Sequence, residues 1–348
     1  MSRPHDAQRP FFPFGNPFRM ISPKGSQLSS KLLVILNNFE ETLAEKFRKL
    51  DPKETGDVLS LSWMEKAMKS LCETHSDVKN LITALELPVC DWDDKWIDVY
   101  LDISVKLLDI CNAFSSEISR LNQGRLMLQC VLHNLESSSP EQFIRASSSL
   151  DRWRQHISSR NPRFANCGSI LESLRETLDL PKVKNSAKGK VLMQAMYGVK
   201  VQTLFVCSIF VAAFSGPAKK PLELSVSGTH LWSLSFTNLL MNVNSNIRNR
   251  PSSGSVAIFK ELEAVEANVK KLSPLIRSGE GTVEEESVRS SVSSLRGSVD
   301  RLSQELDLLE KEVDGFFQIV LTGRDALLCN LRANGPASAQ MQKNIVER

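Results

Sequence analysis

Strand-forming patterns are nearly missing from this sequence. Alternating polar and apolar runs are few, and only two tyrosines occur in 348 residues, so there is little from which to build a sheet. An excess of one charge is missing too. A net charge of +3 is too small to draw a polyanion, and the lysines are dispersed without interleaved aromatics, which argues against nucleic acid as a partner. The seven cysteines are odd in number and include no C-x-x-C pair. They read as reduced thiols in a cytosol-facing protein, and the lack of any N-x-S/T acceptor agrees with that side of a membrane. No G-x-S-x-G, H-E-x-x-H or G-x-G-x-x-G occurs. Lys188-Gly189-Lys190 is no phosphate loop, because no glycine stands five residues before Gly189 and Val191 follows Lys190.

What remains is helix. Long 3–4 apolar periodicities run along most of the chain, predicting an all-α fold: an elongated bundle of long antiparallel helices with a coiled-coil-like C-terminal helix. One helical-bundle domain is expected over 27–333, with 217–255 irregular and linker-like. Residues 1–26 carry prolines 4, 10, 13, 17 and 23, which forbid a helix and predict a flexible arm. The segment has no apolar core of a secretory signal, yet holds the cluster FFPFGNPF. Residues 334–348 read as a loose tail.

The longest helical signal, Asp91 to Leu135, is the expected centre of the bundle. At 100° per residue, Asp94, Asp98, Asp102 and Asp109 share one wedge with Lys95 and Lys106, and apolar residues cover most of the rest. Gly124 is a candidate kink. Flanking helices are predicted at Gln27–Leu50, at Leu61–Leu87 (stripe Met64, Met68, Leu71, His75, Val78, Ile82), from Ser139 onward, at Arg163–Leu180, Thr229–Ile247 and Val256–Leu272. Ser139 with Gln142, and Thr282 with Glu285, have capping-box spacing.

Residues 182–220 hold lysines 182, 184, 188, 190, 200, 219 and 220 and no acid. From Val201 to Gly216 a helix covers about 24 Å, short of the ~30 Å of a bilayer core. A buried core helix is the first reading; a marginal span, or membrane contact through 182–220, is the alternative. Farther on, Val288, Val292, Leu295, Val299, Leu302, Leu306, Leu309, Val313, Phe316 and Val320 alternate steps of four and three. β-Branched residues at a with leucine at d suit a two-stranded seam, either within the chain, against the first or the central helix, or between two copies over 288–320.

Reactive constellations are sparse. Cys72 with His75, and Cys130 with His133, have metal-ligand types one turn apart, but each pair lies near an apolar stripe where cysteine is a common core residue. The aspartates of the central helix lack the Glu-x-x-His partners of a di-metal bundle. The residues assign no catalytic, cofactor-binding or metal site, no cofactor and no enzymatic activity.

Five blocks are long and idiosyncratic: FFPFGNPF, SLCETH at 70–75, DKWIDVYLDISVKLLDICNAFSSEISRLNQG at 94–124, LPKVKNSAKGKVLMQAMYGVK at 180–200 and GRDALLCNLR at 323–332. With these the chain resembles the BYPASS family of plant proteins over about its whole length. The resemblance implies a non-enzymatic regulator of root and shoot development that restrains a mobile root-to-shoot signal arresting leaf growth. It also implies a candidate membrane segment at 201–216 and an address at the endoplasmic reticulum or in the plastid. The solvated face of the central helix and the absence of reactive constellations point to a helical interaction scaffold with protein partners. It is expected in the cytoplasm or on the cytosolic face of the endoplasmic reticulum membrane, with the chloroplast as the alternative.

Overall fold

The computed structural model describes residues 28–54, 57–87, 94–136, 139–179, 186–215, 222–249, 259–277 and 285–333. The expectations for the N-terminal arm, the Thr282 cap and the C-terminal tail lie outside them. Among the described residues there is no strand, as expected from the scarcity of alternating runs. The helices are α1 (Ser30–Lys49), α2 (Leu61–Ala84), α3 (Asp94–Asn134), α4 (Pro140–Ser158), α5 (Cys167–Glu176), α6 (Ala187–Ser215), α7 (Ser233–Arg248), α8 (Lys260–Arg277) and α9 (Glu285–Ala333), with a 3-10 turn at Pro162–Asn166 before α5.

Caps and breakers explain most boundaries. Ser60 accepts the Trp63 N–H at 3.1 Å and opens α2. α2 closes with Glu86 at φ 48° and the Leu87 N–H bonded back to the Ile82 carbonyl. That is the six-to-one bond of a helix ending in a left-handed residue. The hydroxyl half of the Ser139 capping box is not made, because the Gln142 N–H it needs bonds the Ser139 carbonyl at 3.0 Å and tightens the first turn. The helix expected at 163–180 is split into the 3-10 turn and the short α5. α8 runs through Pro274 to Arg277, five residues past its predicted end.

α3 and α9 form the spine and run antiparallel. Arg324 donates to the Leu101 carbonyl and Ser104, Asn122 to Glu310, Arg125 to Ser303, and Arg296 meets Glu136. As one residue number rises the other falls. α9 has 49 residues, about 73 Å at 1.5 Å per residue. Its stripe from Leu295 to Val320 is buried against α3, α2 and α8, so within this fold the seam is taken up by the chain itself. α1, named as one of its two candidate partners, packs instead on α6, α7 and α2.

α3 is not the centre of the whole bundle. It packs on α9, α4, α5 and α6, whereas α1 and α2 pack on α6, α7 sits on α1, α2 also lies against α9, and α8 sits on α9 and α4. The reason is visible on its surface: Val105 and Leu126 are exposed, so the apolar arc of α3 is narrower than its composition suggests. α3 runs on to Asn134 past Gly124, the candidate kink. A Cβ there stands 2.9 Å from Ile157 Cδ1, so this glycine serves the close approach of α4.

α6 is 29 residues long, about 43 Å, and Ala187–Phe214 is long and apolar enough to cross a membrane by length and composition. The Val201–Gly216 stretch alone covers only about 24 Å; the helix is longer because the turns bearing Lys188, Lys190 and Lys200 belong to it. Val201, Phe205, Val206, Cys207, Ile209 and Phe210 are buried within the bundle. Gln202 donates to Ser70 on α2 at 3.0 Å and Lys200 to Thr177 at the end of α5. These are the contacts of a core helix. Two aromatic clusters lock it in place: Phe205, Phe236, Phe47 and Trp232 on one side, Phe210, Phe114, Phe214 and Phe164 on the other.

Candidate functional site

Where α2, α3, α6 and the C-terminal third of α9 meet, packing leaves a cavity of about 340 Å³. The cause lies in the lining. α2 turns His75, Val78 and Ile82 toward it, the lower end of the stripe read from sequence as core, and these stay only partly buried. α3 contributes Trp96, Tyr100 and Ile103, α6 contributes Met196 and Thr203, and α9 contributes Gly323 and Leu327. Gly323 carries no side chain where the Tyr100 hydroxyl comes down on α9, and a Cβ there collides with that oxygen. Two methionines, Met193 and Met196, give one wall adaptable side chains. The volume lies at the lower end of the roughly 300–1,000 Å³ of small-molecule sites, and the lining is largely apolar with a few polar groups, as such sites require.

Those polar groups are specific. Thr203 donates its hydroxyl proton to the Val199 carbonyl at 2.8 Å, so it accepts from His75 Nε2 at 3.3 Å. The proton is thereby assigned to Nε2, and Nδ1 is left as an acceptor. His75 packs edge-on to the Phe316 ring at 5.1 Å. Burial, helped by the charge of Lys46, lowers its pKa to about 4. Lys200 is 6% exposed. Its ammonium donates to the carbonyl and the hydroxyl of Thr177, at the end of α5; among the described residues no carboxylate pairs with it. Burial first, then the neighbouring Lys106, lowers its pKa to about 8, against the pull of Asp102 and Asp179.

His75 makes the stability pH-dependent. An unfolded imidazole gains its proton near pH 6.5 and the folded one only near pH 4, so protons favour the unfolded chain in between. The contribution is complete above about pH 6.5 and falls away as pH drops to about 4, by about 3 kcal/mol. Urea unfolding across that window gives a flatter curve for His75→Leu than for the parent; equal slopes show that the ring is not held neutral.

The other residues marked in the sequence are placed elsewhere. Cys72 donates to the Glu312 carbonyl at 3.6 Å, and burial with the nearby Glu312 pushes its pKa up to about 12. His133 is exposed and bonds Glu136 at 3.2 Å, which also pairs with Arg296. Glu312 and Arg296 are about 24 Å apart along α9 at 1.5 Å per residue, so the two Cys/His pairs do not meet. No cluster of three metal-ligand side chains occurs among the described residues. Asp102 pairs with Lys106 at 2.7 Å and Lys106 also reaches Ser173; Asp98 and Asp109 are exposed. Sequence reading passed over Tyr100, Met196 and Thr203. Lys200 it counted as one of a flank of lysines, although a cation so far inside an apolar helix was the available signal.

The description "Protein ROH1-like" belongs to the family model that matches residues 24–152 and 158–329. Protein BPS1, chloroplastic, of Arabidopsis thaliana is 57% identical over 341 residues, 98% of this chain and 96% of that protein. UPF0496 protein 4 of Oryza sativa subsp. indica is 50% identical over 84% of this chain, a match that takes in 65% of the rice protein. Protein ROH1D of Arabidopsis thaliana is 21% identical over 79% of this chain and 82% of its own length. No solved structure matches. With a family model spanning most of the sequence and a relative this similar from end to end, the chain belongs to the ROH1-like family of plant proteins and, with BPS1, to the BYPASS proteins.

Proposed function

We propose that this protein is a non-enzymatic regulator needed for normal root and shoot development, one that restrains production of a root-derived signal arresting shoot growth. The end-to-end similarity to BPS1 carries this reading, joined to what the BYPASS resemblance implies. In it the protein acts by binding protein partners through its solvated helical faces. Its buried thiols fit that role: burial holds Cys72 and Cys207 up to about 12, where neither is a nucleophile at neutral pH. The chloroplast is the proposed address, supported by the word in the relative's name; the cytosol-facing reading from cysteine usage is the alternative.

Grafting tests the regulatory role. A wild-type shoot on a root lacking this protein arrests its leaves, and the reverse graft grows normally. Normal growth of both grafts removes the reading. The length and hydropathy of α6 favour a second reading, a membrane-anchored regulator using 201–216. Alkaline carbonate extraction decides between them: retention in the membrane pellet supports the anchor, and full release into the supernatant removes it.

A further inference from the structure

The geometry points to the cavity between α2, α3, α6 and α9 as a binding site for an amphiphilic monocarboxylate, its chain against the apolar walls and its carboxylate on the Lys200 ammonium. Three observations carry this, none of them drawn from the developmental reading. A cavity of about 340 Å³ lined chiefly by apolar side chains takes a hydrocarbon body of small-molecule size. The same lining contains Lys200, almost entirely buried, whose hydrogen-bond partners are the neutral oxygens of Thr177. Asp102 and Asp179 act on it only from a distance, Asp102 being paired with Lys106. A buried cation with no carboxylate in contact is costly, and a carboxylate that reaches it supplies a charge-assisted bond in place of neutral ones. The flexible four-carbon stem of lysine lets the ammonium move to meet it.

Polar groups nearby set what the rest of the ligand tolerates. The Thr203 hydroxyl and His75 Nε2 are committed to each other and to Val199, so they add no charge of their own. Tyr100, whose phenol burial keeps protonated, places its hydroxyl over Gly323 on the α9 wall, so it too adds no charge. The methionine wall accommodates differences in chain shape. A saturated or unsaturated acyl chain and an isoprenoid acid of similar volume share this chemistry.

The full-length protein is titrated at pH 7 with dodecanoate and with dodecanol by isothermal calorimetry, and with a dansylated undecanoic acid by fluorescence. The expected result is one dodecanoate per chain, with dodecanol at least tenfold weaker. Lys200→Met removes that tenfold preference and leaves dodecanol binding in place. Ile103→Trp fills the cavity and abolishes both, with helix content and unfolding midpoint checked by circular dichroism. Equal binding of acid and alcohol by the parent overturns the headgroup assignment. Undiminished binding by a folded Ile103→Trp protein overturns the location, and no saturable binding, or many equivalents per chain, overturns the site.

Discussion

Leu309→Asp unfolds the protein or lowers its stability by at least about 4 kcal/mol, and Leu308→Asp, one residue earlier, changes it by less than about 0.5 kcal/mol. Leu309 is 0% exposed and Leu308 is 51% exposed. The first substitution places a carboxylate inside the face that α9 buries, where an unpaired charge is excluded. The second places it in water. Urea denaturation of both variants, followed by circular dichroism at 222 nm, separates them. If the two midpoints fall together, α9 is not packed as described.

The second large effect concerns a charge that is already inside. The Glu117 side chain is 3% exposed and the Arg120 side chain 17%. The guanidinium grips the carboxylate from two sides, at 2.5 Å and 2.9 Å, and donates at 2.8 Å to the His156 carbonyl on α4. His156 Nε2 donates in return to the Arg120 carbonyl at 2.8 Å. Arg120→Leu leaves Glu117 buried and unpaired, and the expected loss is about 3–5 kcal/mol. Removing both charges together, as Glu117→Leu with Arg120→Leu, regains most of that loss, since a well-packed apolar pair replaces a buried ion pair at little cost. Chemical denaturation of the single and double variants reads the difference; a single variant within 1 kcal/mol of the parent contradicts the burial of the pair.

Helix existence was legible in the sequence because it rests on local periodicity. Residues 295–320 repeat every three and four positions, and that stripe is the buried face of α9. Helix partners were legible only in part, because two stripes of equal quality give no indication of which neighbour each takes. Of the two candidates for α9 the central helix α3 is a partner and α1 is not, while α2 and α8 were not foreseen. Glu40 shows the same limit at a single residue. It reads as a surface acid on an amphipathic helix, yet it is 5% exposed and accepts from His230 Nδ1 and the Leu231 N–H, positions 190 residues away. The cavity was least legible of all. His75, Val78 and Ile82 have the spacing of core residues, and only the geometry of four helices decides that they line a space. The blocks that carry the family resemblance at 70–75, 94–124, 180–200 and 323–332 all contribute to that lining, so the recognisable stretches and the cavity coincide although neither reveals the other.

The position of α9 after the helices it covers has a bearing on synthesis. α2 and α3 emerge from the ribosome long before the residues that cover them, Leu295 to Val320, have been made. Until then the nascent polypeptide exposes the apolar faces on which α9 will close, and such surfaces attract chaperones and invite aggregation. A premature stop anywhere before about residue 320 therefore leaves a product that cannot complete its interior, so alleles truncated within α9 act as losses of the whole protein.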